Sequence, residues 1–168
     1  MAATADPTRK HETTAERKSD RELVVTRTFD APARIVFKAW TTLDLFKQWW
    51  APESIGVTIV ESEADFRTGG SYRFLMAHPS VEQPMAFFGR YLEVTPPTRL
   101  VWTNDEGGEN GQVTTVTFED RGDETLVIVH ELYPSKEALD EAIASGATGG
   151  FAEQFDQLDV LLASGGAS

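Results

Sequence analysis

The fold depends on residues 150–163, GFAEQFDQLDVLLA, near the end of the chain. Apolar side chains recur there at the i, i+4, i+7, i+11 spacing of one helical face: Phe151, Phe155, Leu158 and Leu162. The acidic and amide side chains fall elsewhere on the helix. We therefore predict an amphipathic helix about 20 Å long, since each residue adds about 1.5 Å. Such a helix needs a large apolar surface to pack against.

That surface is supplied by strand-like segments earlier in the chain. Extended runs with alternating or β-branched apolar residues cover 22–29, 56–65, 72–77, 85–94, 99–104, 112–119 and 125–132. From the second run onward, the junctions hold Gly, Pro, Asp and Asn in connections too short for crossover helices. Consecutive strands must therefore pair as antiparallel hairpins. The pattern predicts a sheet of about seven strands.

Two short helices are predicted between the first two strands. Asp30 is placed to cap the first, and Thr41 or Thr42 to cap the second. Their apolar faces carry Ile35, Val36, Ala39 and Trp40, and then Leu43, Phe46, Trp49 and Trp50. A further helix follows Pro134, with an apolar face of Ala138, Leu139, Ala142 and Ile143. This order of elements is that of an α+β helix-grip fold, in which a curved sheet surrounds the last helix and usually leaves a cavity.

The 168 residues and 40% apolar content are those of one domain with a real core. Residues 1–20 carry almost no apolar side chains, so we predict a disordered leader. The domain then covers residues 21–164, and residues 165–168 form a disordered tail. Cysteine is absent, which excludes disulfides, thiolate metal sites and thiol nucleophiles.

Charge and hydropathy limit the classes of partner that we expect the protein to bind. The leader holds four basic and four acidic residues, so the net charge of −12 belongs to residues 21–168 and argues against nucleic acid and anionic membranes. No apolar run is long enough to cross a bilayer, and the polar start lacks the apolar core of a signal peptide. We expect a cytoplasmic protein that does not bind membranes.

A series of motifs carries a family resemblance. These are residues 29–32 (FDAP), 49–52 (WWAP), 67–74 (RTGGSYRF) and 93–103 (EVTPPTRLVWT), with Gly89 between the last two. In this order they resemble the bacterial proteins named for homology to the C-terminal domain of the activator of the heat-shock-protein-90 ATPase, within the START-like (SRPBCC) superfamily. The resemblance covers about residues 22–163. It implies a cavity for a small hydrophobic or amphipathic molecule, while a minority of the superfamily catalyse cyclase or hydrolase reactions.

Aromatic residues are the main candidates for a binding site, because rings bury much area in rigid shapes. Many of them are core residues in any fold of this kind. The predicted ligand-binding residues come from the short helices, the sheet and the closing helix: Trp40, Trp50, Tyr72, Phe74, Met76, Trp102, His130, Phe151 and Phe155. Strand parity decides each assignment, so a single bulge would exchange one set of side chains for its neighbours.

His130 is the one histidine that could take part in chemistry. It shares strand parity with Leu126, Ile128 and Leu132, and it would point into the cavity if that side is the concave one. A histidine bonded to a neighbouring element is the commoner case; a ligand contact and a catalytic base are the alternatives. No histidine or carboxylate spacing fits a metal site, and the pair Gly69 and Gly70 precedes a strand rather than a phosphate-binding helix. We predict no metal and no cofactor.

The sequence thus favours a START-like domain that binds a small hydrophobic molecule without catalysis. Two alternatives remain: an enzyme of cyclase or hydrolase type acting on an aromatic substrate, and a protein-interaction module like the chaperone activator. Apolar residues on outer strand positions, together with the resemblance, also suggest a homodimer.

Overall fold

A computed structural model describes residues 12–51, 54, 56–105, 111–144 and 150–165. Over these residues the chain forms eight strands and four helices: β1 (Thr14–Arg17), β2 (Glu22–Phe29), α1 (Ala33–Thr41), α2 (Leu43–Phe46), β3 (Thr58–Ala64), β4 (Ser71–Ala77), β5 (Met85–Thr95), β6 (Arg99–Asn104), β7 (Gln112–Asp120), β8 (Thr125–Leu132), α3 (Lys136–Ala144) and α4 (Gly150–Ala163). No helix among them combines the length and the hydropathy needed to cross a membrane.

The strands form one antiparallel sheet in the order β1-β2-β8-β7-β6-β5-β4-β3. From β3 to β8 each strand pairs with the next along the chain, as the short turn-rich connections predicted. The exception is β2, which pairs with the last strand through the register Glu22↔Leu132 to Phe29↔Thr125. This pairing joins the start and the end of the strand series in one open sheet, and the predicted helix-grip fold is confirmed.

The C-terminal helix packs against the inner side of the sheet. Its buried side chains are Phe151, Phe155, Leu158 and Leu161. The spacing predicts Leu162 on this face, but Leu162 is only half-buried. Leu161 and Leu162 lie three and four residues after Leu158, so either can share its helical face, and in the structure Leu161 is the buried one. The ring of Phe155 meets Phe29 of β2 edge to face, with 5.3 Å between ring centroids.

An ion-pair cluster ties α4 to β2. Arg27 lies on the inner side of β2 and is only 2% exposed. Its Nη1 donates to Asp156 Oδ1 at 2.8 Å, and its Nη2 donates to Asp159 Oδ2. A buried guanidinium with two carboxylate partners holds the helix in one position along the strand, because moving it would leave a charge unpaired.

Strand β1 corrects the prediction of a disordered leader over residues 1–20. Thr14–Arg17 pair with Leu23–Thr26 at the edge of the sheet, and Arg17 Nη1 lies 2.7 Å from Asp140 Oδ1 of α3. Backbone hydrogen bonds and an ion pair hold this segment, and neither requires apolar side chains, so its composition gave no sign of order. Residues 1–11 lie outside the described residues, and the other domain boundaries stay predictions.

The helix caps differ from those expected. Helix α1 begins after Pro32, whose carbonyl accepts from the backbone N–H groups of Ile35 and Val36 at 3.0 and 3.1 Å, and no side chain caps it. Asp30 is therefore not its N-cap. The φ angle of proline is close to that of a helix, so a helix start at Pro32, two residues after Asp30, is favourable. Thr42 is the N-cap residue of α2, as one of the two predicted positions, although its hydroxyl makes no cap bond.

Candidate functional site

A cavity of about 220 Å³ lies between the inner side of the sheet and the helices, over β4, β5 and β6. Every helix except α3 contributes to its wall. The lining residues are Trp40, Phe46, Trp50, Tyr72, Phe74, Met76, Phe87, Tyr91, Leu100, Trp102, Asn104 and Gln154. The wall is thus largely apolar and rich in rings, with a few polar atoms, which is the usual make-up of a site for a small organic molecule.

The alternation of side chains along the strands determines which residues of the sheet line the cavity. On β4, Tyr72, Phe74 and Met76 face the cavity, while the intervening Arg73 is exposed on the other side. Tyr72 pairs with Gly89 and Phe74 with Phe87 across the β4–β5 ladder. The alternation of β4 was read correctly from the sequence, since its two faces differ in polarity.

One glycine on β5 allows the polar end of the cavity to form. The Tyr72 hydroxyl donates to the Thr103 carbonyl at 2.6 Å and contacts Asn104 Oδ1 at 3.1 Å. A Cβ on Gly89 would lie 1.9 Å from the same Thr103 oxygen and 2.9 Å from the Tyr72 hydroxyl. Only glycine permits this approach of neighbouring strands, which holds Tyr72 and Asn104 in place.

Amide side chains of α4 hold the segment that follows α2. Gln154 Nε2 donates to the Trp50 carbonyl at 2.6 Å, and Gln157 Nε2 donates to the carbonyls of Trp49 and Ala51 at 2.8 and 2.9 Å. These bonds satisfy backbone carbonyls in the turn that follows α2. They fix the Trp50 ring as one wall of the cavity.

Most of the predicted binding residues come together in the structure. Trp40, Trp50, Tyr72, Phe74, Met76 and Trp102 all line the cavity. Phe151 and Phe155 do not. They pack under α4, where Phe155 is fully buried and lies 6.2 Å from Trp40 and 5.7 Å from Phe151 between ring centroids. Their helical spacing places them on the packing face of α4, and packing against the sheet leaves little of their surface for a ligand.

His130 lies on the opposite side of the sheet, so the expectation that it faces the cavity is wrong. Val127 and Val129 of β8 belong to the core, and the alternate residues, including His130, point outward. Its Nε2 lies 2.7 Å from Glu22 Oε2 on β2, and this hydrogen bond lowers the pKa of Glu22. The parity was ambiguous because β8 is apolar at both alternating sets of positions.

Some lining residues were absent from the predicted set: Phe46, Phe87, Tyr91, Leu100, Asn104 and Gln154. Phe46 lies at the end of α2, and strand pairing brings Phe87 and Tyr91 of β5 to the cavity. Gln154 gave no signal, since a glutamine on an amphipathic helix is normally a surface residue.

Burial raises the pKa of the Tyr91 hydroxyl well above its usual value, so this group is neutral.

A buried acid lies on the same inner surface, outside the cavity wall. Glu131 of β8 is 8% exposed, accepting from Gln112 Nε2 at 2.7 Å and from the Tyr133 hydroxyl at 3.0 Å. Burial raises the pKa of Glu131 to about 7, while the two hydrogen bonds partly oppose that rise. Within the described ranges, no group of three or more histidine or acidic residues is arranged to hold a metal ion.

The antiparallel sheet, the enclosed C-terminal helix and the aromatic cavity define a START-like domain of the helix-grip class. Residues 30–163 match the family described as Activator of Hsp90 ATPase homolog 1-like protein. Because this match spans most of the 168 residues, the chain belongs to that family. No curated protein matches the chain.

Solved structures of bacterial proteins have the same fold. One from Rhodobacter sphaeroides is 24% identical, with a TM-score of 0.82 over 91% of this chain and 99% of that one. Another from Staphylococcus epidermidis is 30% identical, with a TM-score of 0.72 over 90% and 94% of the two chains. A protein from Aeromonas hydrophila, also described as similar to the activator homolog, is 20% identical, with a TM-score of 0.67 over 86% and 95%.

Proposed function

We propose that this protein binds a small hydrophobic molecule in the cavity between β4–β6 and the helices. The observation that carries the proposal is the cavity itself, a space of about 220 Å³ with rings on most of its wall. Filling such a space with apolar atoms is favourable, because it removes apolar surface of both partners from water. Its volume suits a molecule of a few fused rings better than a long-chain lipid.

The half-buried lining residues support access from solvent. Trp50, Met76, Phe87 and Gln154 each keep part of their surface exposed, whereas Phe74 and Leu100 at the floor are buried. A molecule could enter past the exposed set without unfolding the sheet. We therefore place the entrance between the segment after α2 and the β4–β5 hairpin.

The enzyme alternative rested on His130 as a base. With that ring on the outer side of the sheet, bonded to Glu22, no observation favours catalysis in the cavity. An activator-like contact with a chaperone accords with the family's description. The binding proposal has the more direct support, because it follows from a shaped cavity in this chain.

Equilibrium dialysis with fluorene, a neutral apolar probe of three fused rings, tests the proposal. Wild-type protein should retain fluorene, and Met76→Trp should lose it, because the larger side chain fills the cavity. Leu75→Trp is the matched control: it changes the neighbouring residue of β4, whose side chain is half-buried on the other side, and should bind like wild type. No retention by the wild type, or equal retention by all three proteins, would contradict the proposal. Native mass spectrometry of freshly purified protein should also reveal any copurified small molecule.

Self-association is part of the proposal. The outer side of β5 exposes Phe88 and Leu92, which are 40% and 45% accessible, and these side chains are the surface we expect a second copy to cover. The same native mass spectrum reads the oligomeric state. We further expect the protein to act in the cytoplasm.

A further inference from the structure

Trp40 has a buried hydrogen-bond donor that no described residue satisfies. Its ring lies in the cavity wall, and the residue is 1% exposed. Its Nε1 has no hydrogen-bond partner. A buried N–H group without an acceptor has lost its hydrogen bond to water and gained none in return, so structures rarely keep one without a reason.

The neighbouring indole shows that the fold can satisfy such a donor. Trp49 Nε1 donates to the Ala39 carbonyl at 3.0 Å, and its ring is fully buried 4.8 Å from the ring of Trp40. Trp49 does not line the cavity. Both indoles belong to the buried core, and they differ in that Trp40, whose donor is unpaired, is also one of the residues that line the cavity.

The other polar groups of the wall limit the charge of an occupant. None of the described lining residues is ionisable except Tyr72 and Tyr91, and burial keeps Tyr91 neutral. A charged ligand would lose its hydration without gaining a counter-ion, at a cost of several kcal/mol. The cavity therefore suits a neutral molecule.

We propose that the cavity selects a neutral, flat, mainly apolar molecule that carries a carbonyl oxygen, and that this oxygen accepts a hydrogen bond from Trp40 Nε1. This inference rests on the proposed binding function and specifies its ligand class. An apolar ligand without an acceptor would displace any water from the wall and leave the Trp40 donor unpaired. A ketone or quinone of the same shape would satisfy it.

Fluorene and 9-fluorenone separate the two cases. They share size and flatness, and they differ in a methylene group replaced by a carbonyl. Equilibrium dialysis gives the affinity of each for wild type, Trp40→Phe and Trp49→Phe. The ratio of the two affinities within one protein cancels changes in cavity volume that affect both probes alike.

The expected result is a shift of that ratio in one variant only. Trp40→Phe should reduce the affinity for fluorenone relative to fluorene by about two- to tenfold, because one buried hydrogen bond is lost. Trp49→Phe, which removes an indole whose donor is already satisfied, should leave the ratio as in wild type. Near-UV circular dichroism of both variants verifies that the aromatic packing is retained.

A measurement on the wild-type protein covers the case in which Trp40→Phe does not fold. Uniform ¹⁵N labelling shows the indole N–H signals of the four tryptophans. The Trp40 signal is identified by elimination with Phe variants of the other three. Fluorenone should move the Trp40 proton signal downfield, as hydrogen bonding does, and fluorene should not.

Two outcomes overturn the inference, and they are distinguishable. Binding of both probes with the same ratio in all three proteins, and no downfield shift of Trp40 by fluorenone, would show that the cavity binds ligands without using this donor. Failure of the wild type to retain either probe would remove the binding function as well.

Discussion

The inner surface of the sheet has two largely apolar halves that are packed differently. On β2, β7 and β8 the inner surface presents small branched residues; Val25, Val116, Val127 and Val129 are completely buried. We call this the filled half. Over β4, β5 and β6 the surface presents rings, and the cavity lies above them. We call this the hollow half. Hydrophobicity alone therefore does not decide whether a surface packs or binds.

The difference in packing between the two halves follows from the shapes of their side chains and from the position of α4. Valines form a smooth surface on which a helix packs closely, and Arg27 holds α4 on the β2 side through Asp156 and Asp159. On the hollow half, rings meet mainly at an angle; Trp50 and Trp102, for example, are 6.4 Å apart with planes at 76°.

The largest expected effect is the loss of a ring from the filled half. Phe155→Ala should lower the free energy of unfolding by about 3–5 kcal/mol, because a fully buried ring leaves a void in a close-packed region. Phe87→Ala, the same truncation of a half-buried ring in the hollow half, should cost about 1 kcal/mol, since its site already borders empty space. Urea denaturation measures both. Equal losses would show that the two halves are packed alike.

The second effect comes from the buried acid of the filled half. The pKa of Glu131 is about 7 in the folded protein, against an ordinary value of 4.5. The folded state therefore holds this proton more tightly than the unfolded state. Its stabilising contribution is complete below about pH 4.5 and is lost as the pH rises to 7. Glu131→Gln cannot lose a proton, so at pH 8 it should be more stable than wild type by about 3 kcal/mol.

The pH profile of stability tests this explanation. In thermal unfolding, wild type should lose stability between pH 4.5 and 7 relative to Glu131→Gln. Tyr133→Phe removes a hydrogen bond that favours the charged carboxylate, so its loss of stability should continue to higher pH. Parallel profiles of wild type and Glu131→Gln would mean that Glu131 titrates normally.

The smallest effect concerns the ion pairs that position α4. Asp159→Asn should cost about 1–2 kcal/mol, because the Asp159 side chain is 16% exposed and pairs with a buried guanidinium. Asp156→Asn should cost less than about 0.5 kcal/mol, since that side chain is 68% exposed and water screens it. Denaturation at low and high salt distinguishes the two. A larger loss at Asp156 would contradict this assignment of the anchor.

Much of the hollow half could be predicted from sequence. The alternation of Tyr72, Phe74 and Met76 on β4 was predicted correctly, and the charged Arg73 lies between the first two. The rings of Trp40, Trp50 and Trp102 were also assigned correctly. The failures have physical causes. Strand β8 is apolar on both sides, so its alternation did not show which side His130 faces. The helical spacing of Phe151 and Phe155 indicates packing against the sheet, and these rings do not line the cavity.

The sequence by itself determined the order of elements, the antiparallel hairpins and the amphipathic C-terminal helix, because these depend on contacts within a few residues or on side-chain period. The tertiary structure decided which side of β8 faces inward, that Thr14–Arg17 join the edge, and that Trp40 keeps an unpaired donor beside a cavity. Those properties depend on pairing between segments far apart in the chain, such as β2 with β8, and no local pattern encodes that pairing.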